Sequence, residues 1–218
     1  MRKTFDRRVV PDAVLAFVRA CQRRIPCHLG GGAALAGVYL GHRTTGDIDL
    51  FVHDSEDMRS LVGLLPDAAA DAGVGVTLLR DVGHLVRAKL EPGDGSSLEV
   101  DVVHEPVGDI AAPPPPIEEI VVESLTDLRA SKLTCILSRS EPRDLVDLYF
   151  LDQAGFPPEQ DLDLALRKDA GIDAGVLAWL LAQFPTHPLP VMLEPLDTEQ
   201  LEKFRNELAE RLRQGAIK

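Results

Sequence analysis

The chain has 218 residues, with 23 Lys and Arg against 35 Asp and Glu, a net charge of −12, and 45% hydrophobic residues. That profile belongs to a globular protein of one domain or two small ones that buries its own core, and it excludes disorder as the main state. The acidic balance excludes a broadly positive coat for unspecific nucleic-acid binding, though not a local basic groove.

Behind Met1–Arg7 there is no apolar stretch of signal-peptide type, and no run approaches the ~20 apolar residues that span a bilayer. The expectation is a cytoplasmic protein without membrane contact. The three cysteines, Cys21, Cys27 and Cys135, lack Cys-x-x-Cys spacing and read as reduced thiols. Residues 1–24 hold seven basic side chains (Arg2, Lys3, Arg7, Arg8, Arg19, Arg23, Arg24) against Asp6 and Asp12. Val14, Leu15, Phe17, Val18 and Cys21 recur at helical spacing after Pro11, which predicts an amphipathic helix with one basic side. A solvated helix face is the simpler reading of those charges, and an RNA contact is the alternative.

Next come Gly30-Gly31-Gly32 and an apolar helix to about Tyr39. Asp47-Ile48-Asp49-Leu50-Phe51-Val52 alternates as a half-buried strand does. Residues 57–73 read as helix, 74–79 and 84–90 as strands, and Pro92-Gly93-Asp94-Gly95 as the turn into a strand over 97–103. Pro113 to Pro116 form a natural boundary, which divides the chain into 1–112 and 113–218. Beyond it the pattern is helical: 117–123, a helix capped by Ser124 or Thr126 running to Ser138, 143–153, 172–183 and a charged helix from Thr198. The fold class expected is α+β, a small mixed-sheet core followed by a mostly helical half.

The chemistry gathers at Asp47 and Asp49. Residues i and i+2 of a strand face the same way, and two adjacent carboxylates repel unless a cation sits between them; oxygen donors favour Mg²⁺. The strand 97–103 offers a third carboxylate, Asp101, with Glu99 on its face. Such a set can clamp two metal ions for phosphoryl or nucleotidyl transfer. Glycines ahead of a helix expose backbone N–H groups suited to phosphate. Each feature alone is common: an Asp-x-Asp pair is often a solvent face, and three glycines are usually a turn. Their order, glycine loop, helix, Asp-x-Asp strand and a further acidic strand, supports nucleotidyl chemistry. His42, beside Arg43 just before the strand, is a candidate for positioning.

In the second half, Lys132 lies on a helix with Arg129 and Arg139 near its ends. Asp144 and Asp147 share a face of the next helix beside Arg143. A triphosphate needs cations as well as metal, and Lys132 suits it; a surface salt-bridge pair is the equally good structural reading. The remaining histidines, His28, His53, His84, His104 and His187, lack metal-ligand spacing. No Gly-x-Ser-x-Gly and no Walker A motif occurs, and aromatic residues at 5% leave little for base stacking.

Gly31-Gly32-Ala33-Ala34-Leu35 with Gly41-His42-Arg43-Thr44-Thr45-Gly46-Asp47-Ile48-Asp49-Leu50-Phe51 resembles the AbiEii/AbiGii toxin family of nucleotidyltransferases, within the DNA polymerase β-like superfamily. Lys132-Leu133, Arg139 and Arg143-Asp144-Leu145-Val146-Asp147-Leu148 are similar to that family's Lys and Arg-Asp-x-x-Asp motifs, so the likeness covers about 25–152. The resemblance implies Mg²⁺- or Mn²⁺-dependent transfer of NMP from an NTP to an acceptor, with tRNA or other RNA as acceptor and a cognate antitoxin as partner. It places the triphosphate on Gly31 and Gly32, metal on Asp47, Asp49 and, from the wider superfamily, Asp101, which is also the base. Thr45 takes the hydroxyl position, Lys132 contacts phosphate, and Asp144 or Asp147 supplies the late acid, with Arg43 and Arg143 in the nucleotide-binding set. Ala33 stands where Thr or Ser often follows the glycines. Transfer to a small molecule or protein side chain, and a silent nucleotide-binding module, are the competing readings.

Overall fold

The computed structural model describes residues 4–216; Arg2 and Lys3 of the basic N-terminal set lie outside the described residues. Two compact units divide the chain, Met1–Ser124 and Leu125–Lys218.

The first unit is built on a sheet whose strands alternate as their sequences do. β1 (His28–Gly30), β2 (Asp47–Val52), β3 (Gly75–Asp81), β4 (Leu85–Glu91) and β5 (Leu98–His104) lie in the order β1-β2-β5-β4-β3. β2 and β5 are parallel, and the other neighbours are antiparallel. Ile48, Leu50 and Val52 of β2, Val86, Ala88 and Leu90 of β4, and Val100 and Val102 of β5 are buried, a period-two stripe on one face. Helix α3 (Ser55–Ala72) packs against the sheet, burying Met58, Leu61, Leu65, Ala68 and Ala69. Asp54 caps it by accepting from the backbone N–H groups of Glu56 and Asp57, and Gly73 ends it at φ 68°. Helix α1 (Asp12–Gln22) lays Val14, Leu15, Phe17, Val18 and Cys21 into the same core against α3. The glycine run opens α2 (Gly31–Ala34), which continues as a π-helical stretch, Leu35–Leu40, and stops at Gly41 with φ 72°.

β3 lies at the edge of the sheet away from β1; Leu78 and Leu79 are exposed, and its pairing with β4 slips between Leu78 and Arg80.

The helix expected over 117–123 does not form. Ile117 and Ile120 exchange two backbone hydrogen bonds of 2.9 Å across a turn in which Glu118 and Glu119 take φ 49° and 68°. Leu29 N–H then donates to Val121 O and Glu123 N–H to Leu29 O. The outer edge of β1 has backbone groups to satisfy, and an extended segment with buried Ile120 and Val122 satisfies them where a lone helical turn could not.

The second unit is helical: α4 (Leu125–Ser138), α5 (Pro142–Gln153), α6 (Leu162–Lys168) after a 3₁₀ turn, α7 (Ala174–Leu181) and α8 (Thr198–Ala216). Its core draws Leu128, Leu133 and Ile136 from α4, Leu145 and Leu148 from α5, Leu177 and Leu181 from α7, and Leu201, Phe204, Leu208 and Leu212 from α8. With the mixed sheet in the first unit, the protein is α+β.

Candidate active site

The face of the sheet opposite the apolar stripe is polar. In the β2–β5 register, Asp49 stands opposite Asp101 and Asp47 opposite Glu99, and residues directly opposite in a sheet share a face. Asp47 and Asp49 are half-buried between the buried Ile48 and Leu50, so the alternation read from the sequence aims both carboxylates together. Thr45 fixes one of them: its hydroxyl donates to Asp47 Oδ1 at 2.6 Å.

Gly31 lies against the other. A Cβ there would fall 1.8 Å from Asp49 Oδ2, and the residue has φ +59°, so both space and backbone demand glycine. A Cβ on Gly32 would fall 2.7 Å from the Arg43 guanidinium. Arg43 is 2% exposed and donates to Thr44 O at 3.0 Å. Gly31, Gly32, Arg43, Thr45, Asp47, Asp49 and Asp101 therefore surround one end of β2. An all-oxygen carboxylate set beside a backbone without side chains fits a hard divalent cation and an approaching phosphate.

Arg87 was not among the residues expected here. On β4 opposite Asp101, it makes a two-pronged pair with that carboxylate, both bonds 2.8 Å, and reaches Glu99 at 2.9 Å. The hydrogen bonds that Arg87 donates to Asp101 raise the guanidinium pKa above its ordinary value. The alternation of Leu85–Leu90 signals that Arg87 and Lys89 share a face, but the register across the loop 91–97 was needed to place Arg87 on Asp101.

The second unit gathers its own charges. Lys132 is buried, its ammonium 2.6 Å from Asp147 Oδ2 and 3.3 Å from Asp144 Oδ1, and both carboxylates are fully buried. Arg139 closes on Asp144 with bonds of 2.8 and 2.9 Å. Burial pushes the Asp144 carboxyl up, but Lys132 and Arg139 outweigh it and hold the group below its ordinary value. Arg143 pairs with Glu141, and Arg129 with Asp161. The i, i+3 spacing of Asp144 and Asp147 thus brings Lys132 and both acids together in an interior ion cluster.

The basic N-terminal residues are largely neutralised within the first unit. Arg7 pairs with Asp12 and Glu118, Arg8 with Asp6, and Arg24 with Asp71. Arg23 is exposed. Among the described residues, no helix is long and apolar enough to cross a membrane.

Solved structures share the fold. A candidate nucleotidyltransferase from Helicobacter pylori matches at TM-score 0.62 and 20% identity, over 94% of this chain and 93% of that one. JHP933 from Helicobacter pylori matches at TM-score 0.59 and 19% identity, over 96% and 95%. MenT4, a nucleotidyltransferase toxin from Mycobacterium tuberculosis H37Rv, matches at TM-score 0.62 and 16% identity, over 93% and 84%. No curated protein matches significantly. The profile of the family described as nucleotidyl transferase AbiEii toxin, type IV TA system, matches residues 19–218. With that match spanning nearly the whole sequence, the chain belongs to the AbiEii nucleotidyl transferase toxin family and is a nucleotidyltransferase.

Proposed function

We propose that the protein transfers NMP from an NTP to an RNA acceptor, tRNA foremost, as the toxin of a toxin–antitoxin pair, with Mg²⁺ or Mn²⁺ held by Asp47, Asp49 and Asp101. The observation that carries this is the placing of Gly31 directly against Asp49, with Asp101 beside it on β5. A metal-binding carboxylate and a backbone open to phosphate occupy the same spot.

The acceptor oxygen forms a bond to the α-phosphorus as the α–β phosphoanhydride breaks and pyrophosphate leaves. Asp101 takes the acceptor's proton, Thr45 keeps the Asp47 carboxylate oriented through its 2.6 Å bond, and Gly31 and Gly32 present backbone to the phosphates. When bound, the divalent ion neutralises the charge that builds on the transferring group. Lys132, Arg143, Asp144 and Asp147 keep a nucleotide-binding part in this reading, supported by their likeness to the family's motifs. Burial between two carboxylates assigns Lys132 first to holding α4 against α5.

A second acceptor class, a small molecule or protein side chain, is favoured by one observation. The ion pairs of Arg7, Arg8 and Arg24 spend much of the positive charge that an RNA contact would use. The test incubates the protein and its Asp47→Ala variant with Mg²⁺ and each α-labelled NTP, in turn with total RNA and with protein. Label in RNA supports the first acceptor and label in protein the second; full activity in Asp47→Ala overturns the site. NTP binding without pyrophosphate release, for every acceptor, would make this a silent nucleotide-binding module.

A further inference from the structure

A second cluster of metal-ligating side chains lies in the first unit and contains none of the residues assigned above. His28 opens β1, His53 follows β2, and Asp109 lies in the segment after β5. Their donor atoms all fall within 4.8 Å of one another. Asp109 Oδ1 is 3.2 Å from His53 Nε2 and 3.8 Å from His28 Nδ1, and the two rings meet edge to face with centroids 5.3 Å apart.

The hydrogen bonding of His53 determines what the cluster can hold. Its Nδ1 lies 2.8 Å from the backbone carbonyl of Glu105. A carbonyl oxygen only accepts, so Nδ1 carries a proton. In the neutral ring, Nε2 then turns a lone pair towards the Asp109 carboxylate. Two acceptors at 3.2 Å are stable only with a cation shared between them. That cation is either a second proton on the ring or a metal ion.

We propose that His28, His53 and Asp109 form a Zn²⁺ site that fastens the segment after β5 to β1 and the end of β2. Two imidazoles and a carboxylate form a donor set that zinc accepts, with a position left for water or a further ligand. An outer-shell backbone carbonyl receiving the Nδ1 proton of a ligating histidine is the usual support of such a site. Zinc bonds of about 2.0–2.1 Å put neighbouring donors about 3.3 Å apart in a tetrahedral site. The two distances to Asp109, 3.2 and 3.8 Å, bracket that value, the two histidine donors lie within 4.8 Å of each other, and small rotations of the partly exposed side chains would bring the three donors onto one ion. The nitrogen donors separate this site chemically from the all-oxygen carboxylates of β2 and β5, which suit Mg²⁺. The proposal does not rest on the nucleotidyl-transfer reading.

The test uses full-length protein without a histidine tag, stripped with a chelator and titrated with Zn²⁺. Calorimetry reads stoichiometry, the visible absorption of Co²⁺ reads the ligand field, and thermal unfolding reads the fastening. The expected result is one Zn²⁺ per chain, a raised Tm, and no displacement by excess Mg²⁺. His53→Ala and Asp109→Asn should each weaken binding at least about tenfold, while Asp47→Asn leaves it unchanged. Asp109 is at the surface, so its variant keeps the fold and the comparison stands even where His53→Ala does not. Failure of the wild type to take up Zn²⁺ would leave a proton-bridged ion pair and overturn the proposal. So would equal affinity in Asp109→Asn, or loss of the site in Asp47→Asn.

Discussion

Arg87 on β4 holds both oxygens of Asp101 on β5 at 2.8 Å. The carboxylate that would serve as third metal ligand and base is thus already neutralised by a cation from the neighbouring strand. A divalent ion reaching Asp101 must compete with that guanidinium. Arg87→Gln should lower the Mg²⁺ concentration needed for half-maximal transfer, read from rates over a magnesium titration. A higher requirement would instead make Arg87 the group that positions Asp101.

Gly31 allows a sharper substitution. Alanine there meets Asp49 Oδ2 at 1.8 Å and must hold φ +59°, a conformation costing roughly 1–2 kcal/mol for a residue with a Cβ. Gly31→Ala should therefore abolish transfer by pushing the Asp49 carboxylate aside, while the protein still folds with a modestly lower Tm. Retained activity beside a normal Tm would show that Asp49 is not needed where it stands.

The buried cluster of the second unit also bears on stability. Removing one partner from a buried ion pair costs about 3–5 kcal/mol, whereas replacing the pair by apolar groups is often close to neutral. Lys132→Met should cost an amount of that order in urea unfolding, and Lys132→Met with Asp147→Leu should recover part of it. If the double variant is as unstable as the sum of the two single ones, the pair is not acting as a unit.

Acid should act on the same cluster. Asp144 titrates below its ordinary value in the folded protein because Lys132 and Arg139 outweigh its burial. A carboxyl depressed by folding contributes stability that is complete above its unfolded pKa, about 3.9, and is lost as pH falls through the folded value. The urea midpoint should therefore drop more steeply below about pH 4 in the wild type than in Arg139→Gln. Equal slopes would place the acid sensitivity elsewhere.

The elements with a strong period were legible in the sequence. Residues 47–52 alternate, and the structure buries Ile48, Leu50 and Val52 while leaving Asp47 and Asp49 on the other face. Helices α3 and α5 lie within a residue or two of where their patterns place them. Two of the things that were not legible depend on strands meeting. Residues 117–123 carry apolar spacing that suits a helix, yet β1 takes their backbone as its partner. The hold of Arg87 on Asp101 depends on a register that no local pattern encodes. The burial of Lys132 is a third, of another kind: spacing shows which residues share a helix face, and only packing decides whether that face meets water.

The slip between Leu78 and Arg80 has a bearing on how the protein survives in a crowded cell. An outer strand that carries exposed Leu78 and Leu79 is a template on which other chains can polymerise. A break in its ladder twists that template, and the charged side chains of Arg80 and Asp81 beside it resist burial against a neighbouring strand. Restoring a regular ladder by deleting one residue there would flatten this edge and make the protein prone to fibres.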